Sequence, residues 1–433
     1  MSRPPEHRKP KQPSANPTTD NTGMVALNHP VFGQPQPTDD PSVFRVHHAS
    51  DSAAYKKIDE LNKEHKLAAL PFPPPRGLPE PRLTLAQVFG NDTAAVQAIE
   101  ATGQLVFHAA GDTGSTRGPE TQSLVADKML TDFDEQHAKD KPSFFFHLGD
   151  VVYSFGEAQY YYDQFYEPYR DYPAPILAMP GNHDGMVAPD TNVATLAAYL
   201  ENFCAAEFEV TPQAGGLSRT AQIQPGVFYT FEAPFLRILT LYSNTLEDPG
   251  VIADSVIGDS QIAYLKAALH RVKSEAFAGA LIIAHHHPAY TAGSKHGWSE
   301  TMLTQIDKEC AAAGVWPHAV LSAHAHNYQR FTRAHGQTQI PYIICGNGGH
   351  NVTRLSRGNK TERVPAPLPI TGHADKVTFE SYDDQDYGYL RVIATKSQLR
   401  IEYHPASDGG AAKTPDDAVT IDLAHRVITH FNG

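Results

Sequence analysis

The residues with the greatest capacity for chemistry are Asp112, Asp150, Tyr153, Asn182, His183, His286, His324 and His326. They fall at five places, each just after a short apolar run. Gln104–Ala110 leads into Gly111-Asp112-Thr113-Gly114, and Phe144–Leu148 into Gly149-Asp150-Val151-Val152-Tyr153. Ile176–Pro180 leads into Gly181-Asn182-His183-Asp184, Ala280–Ala284 into His285-His286-His287-Pro288, and Ala319–Ser322 into Ala323-His324-Ala325-His326. Singly, each has a plain reading: Gly-Asp after a strand is a turn, a tyrosine packs, a histidine faces solvent. Jointly, oxygen donors and imidazoles recur at strand ends, a mixture that suits a metal centre and that an apolar core does not tolerate unpaired.

The donors sort by hardness. Asp112, Asp150 and a Tyr153 phenolate, with one imidazole, suit a trivalent cation such as ferric iron. Asn182 and two imidazoles around a shared carboxylate suit divalent zinc, iron or manganese. A carboxylate serving both ions must bridge them, and Asp150, central in the series, is the candidate. Two ions about 3.5–4 Å apart form the clamp used for in-line displacement at phosphorus.

The elements that must position these residues are parallel strands. Phe144–Leu148 is apolar throughout, as a strand covered on both faces should be, and ligand sites in such sheets lie beyond the carboxyl ends of strands. Helices are expected over 119–138, 193–203, 258–272 and 299–313, and an antiparallel pair over Val227–Ala233 and Phe235–Tyr242 around Pro234. The aromatic segment Tyr160–Tyr166 reads as a packed helix face, and further strands fill the carboxyl-terminal part. Residues 1–45 are too poor in large apolar side chains to form a core and read as a tail or an extended arm. Residues 46–102 read as a helical, proline-rich cap, with helices over 51–67 and 83–102 and an internal break at Asn91-Asp92. Residues 103–433 form the catalytic domain.

Bulk properties narrow the classes. The 433 residues carry a formal net charge of −13, which argues against a nucleic-acid partner. Three scattered cysteines give neither a disulfide framework nor a thiolate zinc site. The sequence contains no apolar run long enough for a membrane span. The amino terminus lacks the apolar core of a signal peptide, so a cytoplasmic location is the default expectation.

The five ordered motifs, with His286-His287-Pro288-Ala289-Tyr290 and His324-Ala325-His326-Asn327-Tyr328 as the last two, resemble those of purple acid phosphatases in the calcineurin-like metallophosphoesterase superfamily. The resemblance covers about 103–403. It implies an αββα sandwich of two mixed β-sheets in four layers, with a dinuclear metal site at the strand ends. Asp112, Tyr153 and His326 would hold Fe3+, and Asn182, His286 and His324 a divalent zinc, iron or manganese ion, with Asp150 between them. His183 and His296 match the histidines that contact phosphate and protonate the leaving group; Asn347 and His350 are candidates to line the pocket. The implied activity is hydrolysis of small phosphate esters, most of all monoesters as an acid phosphatase, by attack of metal-bound hydroxide at phosphorus. Ferric-bound water ionises at lower pH than zinc-bound water, which favours the acid side. The alternatives are a phosphodiesterase or nucleotide pyrophosphohydrolase on the same core, or a non-catalytic metal-binding or interaction protein. The sequence departs from the family pattern at Ala323 and Asp184, where glycine and glutamate are usual, and the family is usually secreted.

Overall fold

The fold was analysed in a computed structural model, which describes residues 18–19, 25–26, 29–33, 52–64, 67–189, 191–215, 219–293, 295–355, 363–407 and 413–432. Most of the expected tail or arm over 1–45 lies outside the described residues. Two large mixed sheets form the centre. The seven-stranded sheet runs Val427–Thr429, Asp417–Asp422, Gln398–Pro405, Gly388–Thr395, Gln104–Ala110, Phe145–His147, Ile176–Ala178. The nine-stranded sheet runs Leu368–Ile370, Lys376–Asp383, Tyr328–His335, Thr338–Cys345, Ala319–Ser322, Ala280–His285, Leu236–Leu241, Thr230–Ala233, Arg82–Thr84. Helices Glu120–Leu130, Ser260–Ser274 and Glu300–Ala313 flank them, which is the expected sandwich of two sheets between helices.

Each sheet has a parallel core. Gln104–Ala110, Phe145–His147 and Ile176–Ala178 pair in parallel in one. Leu236–Leu241, Ala280–His285, Ala319–Ser322 and Thr338–Cys345 do so in the other. These strands are buried almost throughout, which is why they read as unbroken apolar runs. The sheets meet through aromatic pairs: Phe144 lies edge-on to Phe231 at 5.0 Å, and Tyr328 stacks on Tyr403 at 4.0 Å. Near the site the seam tightens, and the Gly111 N–H donates to the Cys345 carbonyl at 2.9 Å. A side chain at Gly111 would put its Cβ 2.5 Å from that of Ala323, so only glycine lets the two sheets approach there.

Local chemistry moves several expected boundaries. The helix expected over 83–102 is split. Arg82–Thr84 is an edge strand paired in parallel with Thr230–Glu232, and a Thr84–Gln87 capping box starts a short helix at Leu85. Asp92 then caps Thr93–Thr102, which ends at Gly103 in the left-handed conformation. The helix expected over 119–138 ends at Leu130 and tightens into a 3-10 turn over Thr131–Asp134. The Tyr160–Tyr166 segment is a 3-10 turn followed by a π-helical turn, and its aromatic rings are buried in the main core. The carboxyl-terminal strands begin with Tyr328–His335, directly after the last motif.

A charged network lies on the antiparallel side of the seven-stranded sheet. Burial pushes the Glu402 carboxyl up, but hydrogen bonds from His404 and Arg400 and the charge of Arg391 outweigh it and hold it at about 2. A carboxylate depressed in the folded state stabilises above its unfolded value, about 4.3, and loses that contribution as pH falls through the folded value. Glu402→Gln should therefore lower stability near neutral pH by about 2–3 kcal/mol and flatten its pH dependence between about pH 4.5 and 2. Urea unfolding across that range measures both; an unchanged acid slope would contradict the assignment.

Candidate metal centre

The five strand ends converge on one place. Three come from the seven-stranded sheet and carry Asp112, Asp150 with Tyr153, and Asn182 with His183. Two come from the nine-stranded sheet and carry His286, and His324 with His326. Asp112, Asp150, Asn182 and His286 are fully buried, and Tyr153, His324 and His326 nearly so.

Tyr153 links the two halves. Its hydroxyl lies 2.9 Å from Asp112 Oδ1, 2.9 Å from Asp150 Oδ2 and 3.3 Å from His326 Nε2. One phenolic proton cannot satisfy two carboxylates at full strength. Burial, then the charges of Asp112 and Asp150, push the phenol well above its usual range. A multivalent cation there would reverse that balance and favour the phenolate.

Each imidazole is held by one ring nitrogen. His286 Nδ1 lies 2.8 Å from the Leu148 carbonyl, so it donates and turns Nε2 inward, 3.2 Å from Asp150 Oδ2 without hydrogen-bond geometry. His326 Nδ1 is 2.8 Å from Asn351 Oδ1, and its Nε2 is 3.4 Å from Asp112 Oδ1. His324 Nδ1 is 3.2 Å from Asn182 Oδ1. The anchoring of the outer nitrogen seen at His286 and His326 is the usual arrangement around metal-ligating histidines. Asp150, His286 and His324 offer ligand atoms all within 4.8 Å of one another, and His286 Nε2 and His324 Nε2 are buried without hydrogen-bond partners. Two buried carboxylates, clustered imidazoles and orphaned polar atoms fit a dinuclear metal site.

The backbone is bent to achieve this. Asp112, Asp150, His324 and His326 all have positive φ, between 45° and 68°. Each such residue costs about 1–3 kcal/mol and persists only where its surroundings over-determine it. Here they do: Asp112 Oδ2 accepts from the His324 N–H at 2.6 Å, and Asp150 Oδ1 from the His183 N–H at 2.9 Å. Gly149, at φ +94°, has no room for a side chain, since a Cβ would lie 2.7 Å from both Gly181 N and His286 Nδ1. Gln164, from the π-helical turn, bonds both the N–H and the carbonyl of Tyr153, at 2.9 and 3.0 Å.

Asp184, the departure from the usual glutamate, leaves His183 to other partners and organises the Asp150 loop instead. Its carboxylate accepts from the N–H groups of Asp150 at 2.9 Å, Val151 at 3.0 Å, Val152 at 3.2 Å and Gly181 at 2.8 Å. Burial and the Asp150 charge raise its carboxyl, against those donors. His183 Nδ1 is directed at the Ser154 carbonyl, 2.8 Å away, and its ring packs on Tyr153.

The remaining expected residues separate. The His296 ring lies 4.8 Å from those of His324 and His326, at the rim of the cluster. His350 stacks on Tyr153 at 3.6 Å, with Nδ1 on the Gly114 carbonyl. Asn347 is buried away from the rim, where its amide donates to the Asp386 carbonyl and Tyr403 hydroxyl and ties loops together. His285 and His287 are engaged by the His287 carbonyl and by Ser243 and the Leu246 carbonyl. Sequence reasoning missed Glu247, Asp248 and Asn351. Glu247 Oε1 is 3.9 Å from His183 Nε2, and Asp248 Oδ1 is 3.6 Å from His324 Nε2. All three sit in loops with no strand-end pattern to announce them.

Residues 106–328, just over half of the chain, match the calcineurin-like phosphoesterase family. The chain belongs to that family. Among curated proteins it is similar to an Arabidopsis thaliana protein named probable inactive purple acid phosphatase 9, at 23% identity over 319 residues. That alignment covers 67% of this chain and 45% of the relative, so the chain spans less than half of the relative's length. Among solved structures it is similar to Plasmodium GAP50, the anchor in the inner membrane complex, with a TM-score of 0.48 and 15% identity over 74% of this chain and 88% of that one. A dimetal phosphatase from Danio rerio gives a TM-score of 0.41 and 11% identity, covering 74% and 99%. Among the described residues no helix is long and apolar enough to cross a membrane.

Asp184→Ala would leave four buried N–H groups unpaired at about 1–3 kcal/mol each. We expect a loss of at least about 3 kcal/mol in chemical unfolding. A loss below 1 kcal/mol would show that the Asp150 loop does not depend on this carboxylate.

Proposed function

We propose that the chain is a hydrolase of small phosphate esters, of the purple acid phosphatase type, using ferric iron with divalent zinc, iron or manganese. One observation carries this reading: a tyrosine hydroxyl shared by Asp112, Asp150 and His326 at the seam of the two sheets. Asp112, Tyr153 and His326 would hold the ferric ion, and Asn182, His286 and His324 the divalent one, with Asp150 bridging. When bound, the two ions supply Lewis-acid activation of water and charge neutralisation at phosphorus. The chain's own residues orient the ester. His183, with Nδ1 committed to Ser154, presents Nε2 towards the rim, where it can hold a phosphoryl oxygen and pass a proton to the leaving alcohol. His296, on the other side of His324, is placed to hold a second oxygen.

The Arabidopsis relative is named as inactive. In this chain every residue of the proposed ligand set is present, which supports catalysis over a non-catalytic metal-binding role. One feature favours the diesterase alternative: the Glu247 carboxylate beside His183 opposes a dianionic monoester more than a monoanionic diester.

The test is a visible absorption spectrum with metal analysis on the same sample. A broad charge-transfer band, iron and a second metal at near one each, and bleaching in Tyr153→Phe are expected. A colourless protein with two divalent ions would remove the ferric assignment. Comparing p-nitrophenyl phosphate with its bis ester places the activity: higher kcat/KM on the monoester is expected, and the reverse order selects the diesterase.

A further inference from the structure

The nine-stranded sheet has an edge that the metal centre does not use. His286 and His324 follow the carboxyl ends of Ala280–His285 and Ala319–Ser322, whereas Gly279 and His318 stand at the amino ends of the same strands. There a cavity of about 370 Å³ opens between the carboxyl end of helix Ser260–Ser274, the segment 314–316 and the turn before Val427–Thr429. Lys273, Phe277, Val315, Trp316, His318 and Arg426 line it, and no carboxylate does. In a chain with a net charge of −13, that selection of charge is unlike the rest of the surface.

Arg426 is the unsettled cation of this cavity. Its Nη2 donates to the Trp316 and Pro317 carbonyls at 2.6 and 2.8 Å. Its Nη1 lies 2.9 Å from His318 Nε2, but no hydrogen bond is possible there. His318 Nδ1 accepts from the Leu281 N–H at 2.9 Å, so the neutral ring carries its proton on Nε2 and two donors face each other. Burial, then the Arg426 charge, hold His318 down at about 3, which keeps the ring neutral. Asp422, the nearest carboxylate along the chain, is engaged by His425. Arg426 therefore has only neutral neighbours among the described residues, and its N–H groups at Nε and Nη1 find no acceptor there. Burial pulls its pKa below the ordinary value, as expected of a half-buried cation without a counter-ion.

We propose that this cavity binds a small organic acid, a carboxylate on an aromatic or branched apolar body, with one oxygen held by Arg426 and the other by Lys273. Lys273 donates once, to the Ala313 carbonyl at 2.7 Å, and keeps two N–H groups for a ligand. The apolar body lies against Phe277, Val315 and Trp316. Two of these walls are braced: Arg237 lies over Phe277 at 4.3 Å, and His335 packs on Trp316 at 3.9 Å. A phosphate group would need further donors, and Thr338, the one hydroxyl in the lining, gives its proton to the His335 carbonyl. The volume falls at the lower end of the range that encloses small ligands, about 300–1,000 Å³. The site lies a strand's length from the metal centre, so it stands whether or not the dinuclear reading does.

The test uses the full chain and 4-bromobenzoate, with 4-bromobenzyl alcohol as its uncharged match. Calorimetric titration gives both affinities, and anomalous scattering at the bromine edge in soaked crystals locates the bound molecule. We expect 4-bromobenzoate in the cavity with its carboxylate on Arg426, and the alcohol bound at least about tenfold more weakly. Arg426→Gln should weaken the acid by about tenfold or more and leave the alcohol unchanged. Lys273→Gln alters an exposed side chain, should weaken the acid by about threefold or more, and serves if the first variant folds poorly. Equal affinity of acid and alcohol, or unchanged affinity for the acid in either folded variant, would overturn the site. So would a bromine peak confined to His183 and His324, binding at crystal concentration only, or no binding by the wild type.

Discussion

Asp112 and Asp150 are buried against a single phenolic hydroxyl at the seam of the two β-sheets, and most of the surrounding structure answers to that concentration of negative charge. Buried carboxylates are tolerated only when paired and hydrogen-bonded. Here the partners are backbone N–H groups of His183 and His324, imidazoles turned inward by carbonyl anchors, and the Tyr153 hydroxyl. These soften the charge: against its burial, Asp150 and Asp112 raise His286 to about 10, while the Tyr153 hydroxyl shares one proton between two carboxylates. A pair of cations at this point would balance the charge, and the left-handed backbone at four of the site residues is the geometric cost of aiming them at it.

The two sheets divide the work in a way that follows from donor chemistry. The seven-stranded sheet delivers the carboxylates, the tyrosine and the amide, and the nine-stranded sheet delivers the imidazoles. Neither set alone makes a balanced site. Metal ligation would therefore tie the sheets together at their shared edge, adding to the aromatic contacts that hold them deeper in the core. Gly111 and Gly149 matter for the same reason: each removes a side chain where backbones from separate strand ends must nearly touch.

The loop after Leu236–Leu241 adds a layer that the five motifs do not contain. It brings Glu247 and Asp248 to the far side of His324, and His287 fixes it there. The rim of the centre is thereby acidic on one side and imidazole-lined on the other, so under the proposed function the charge of an incoming ester would be read at Glu247 as well as at the inner residues.

The strand ends and the chemistry of the residues on them can be read from consecutive residues alone. Apolar runs followed by Gly-Asp, Gly-Asn-His and His-x-His are local patterns, because burial on both faces and a sharp exit from a strand each leave a mark on consecutive residues. The sandwich of two mixed sheets was legible only through the resemblance that those motifs carry, not from the local patterns themselves. The helix split at Arg82–Thr84 was not, because the strand exists only through its pairing with Thr230–Glu232, about 150 residues away. Nor were the anchoring of His326 by Asn351, the task of Asp184 in holding the Asp150 loop, or the approach of Glu247 and Asp248 to His183 and His324. Those are contacts between loops. Loop residues carry no periodicity, so only the packing of the two sheets against each other decided which of them share a site.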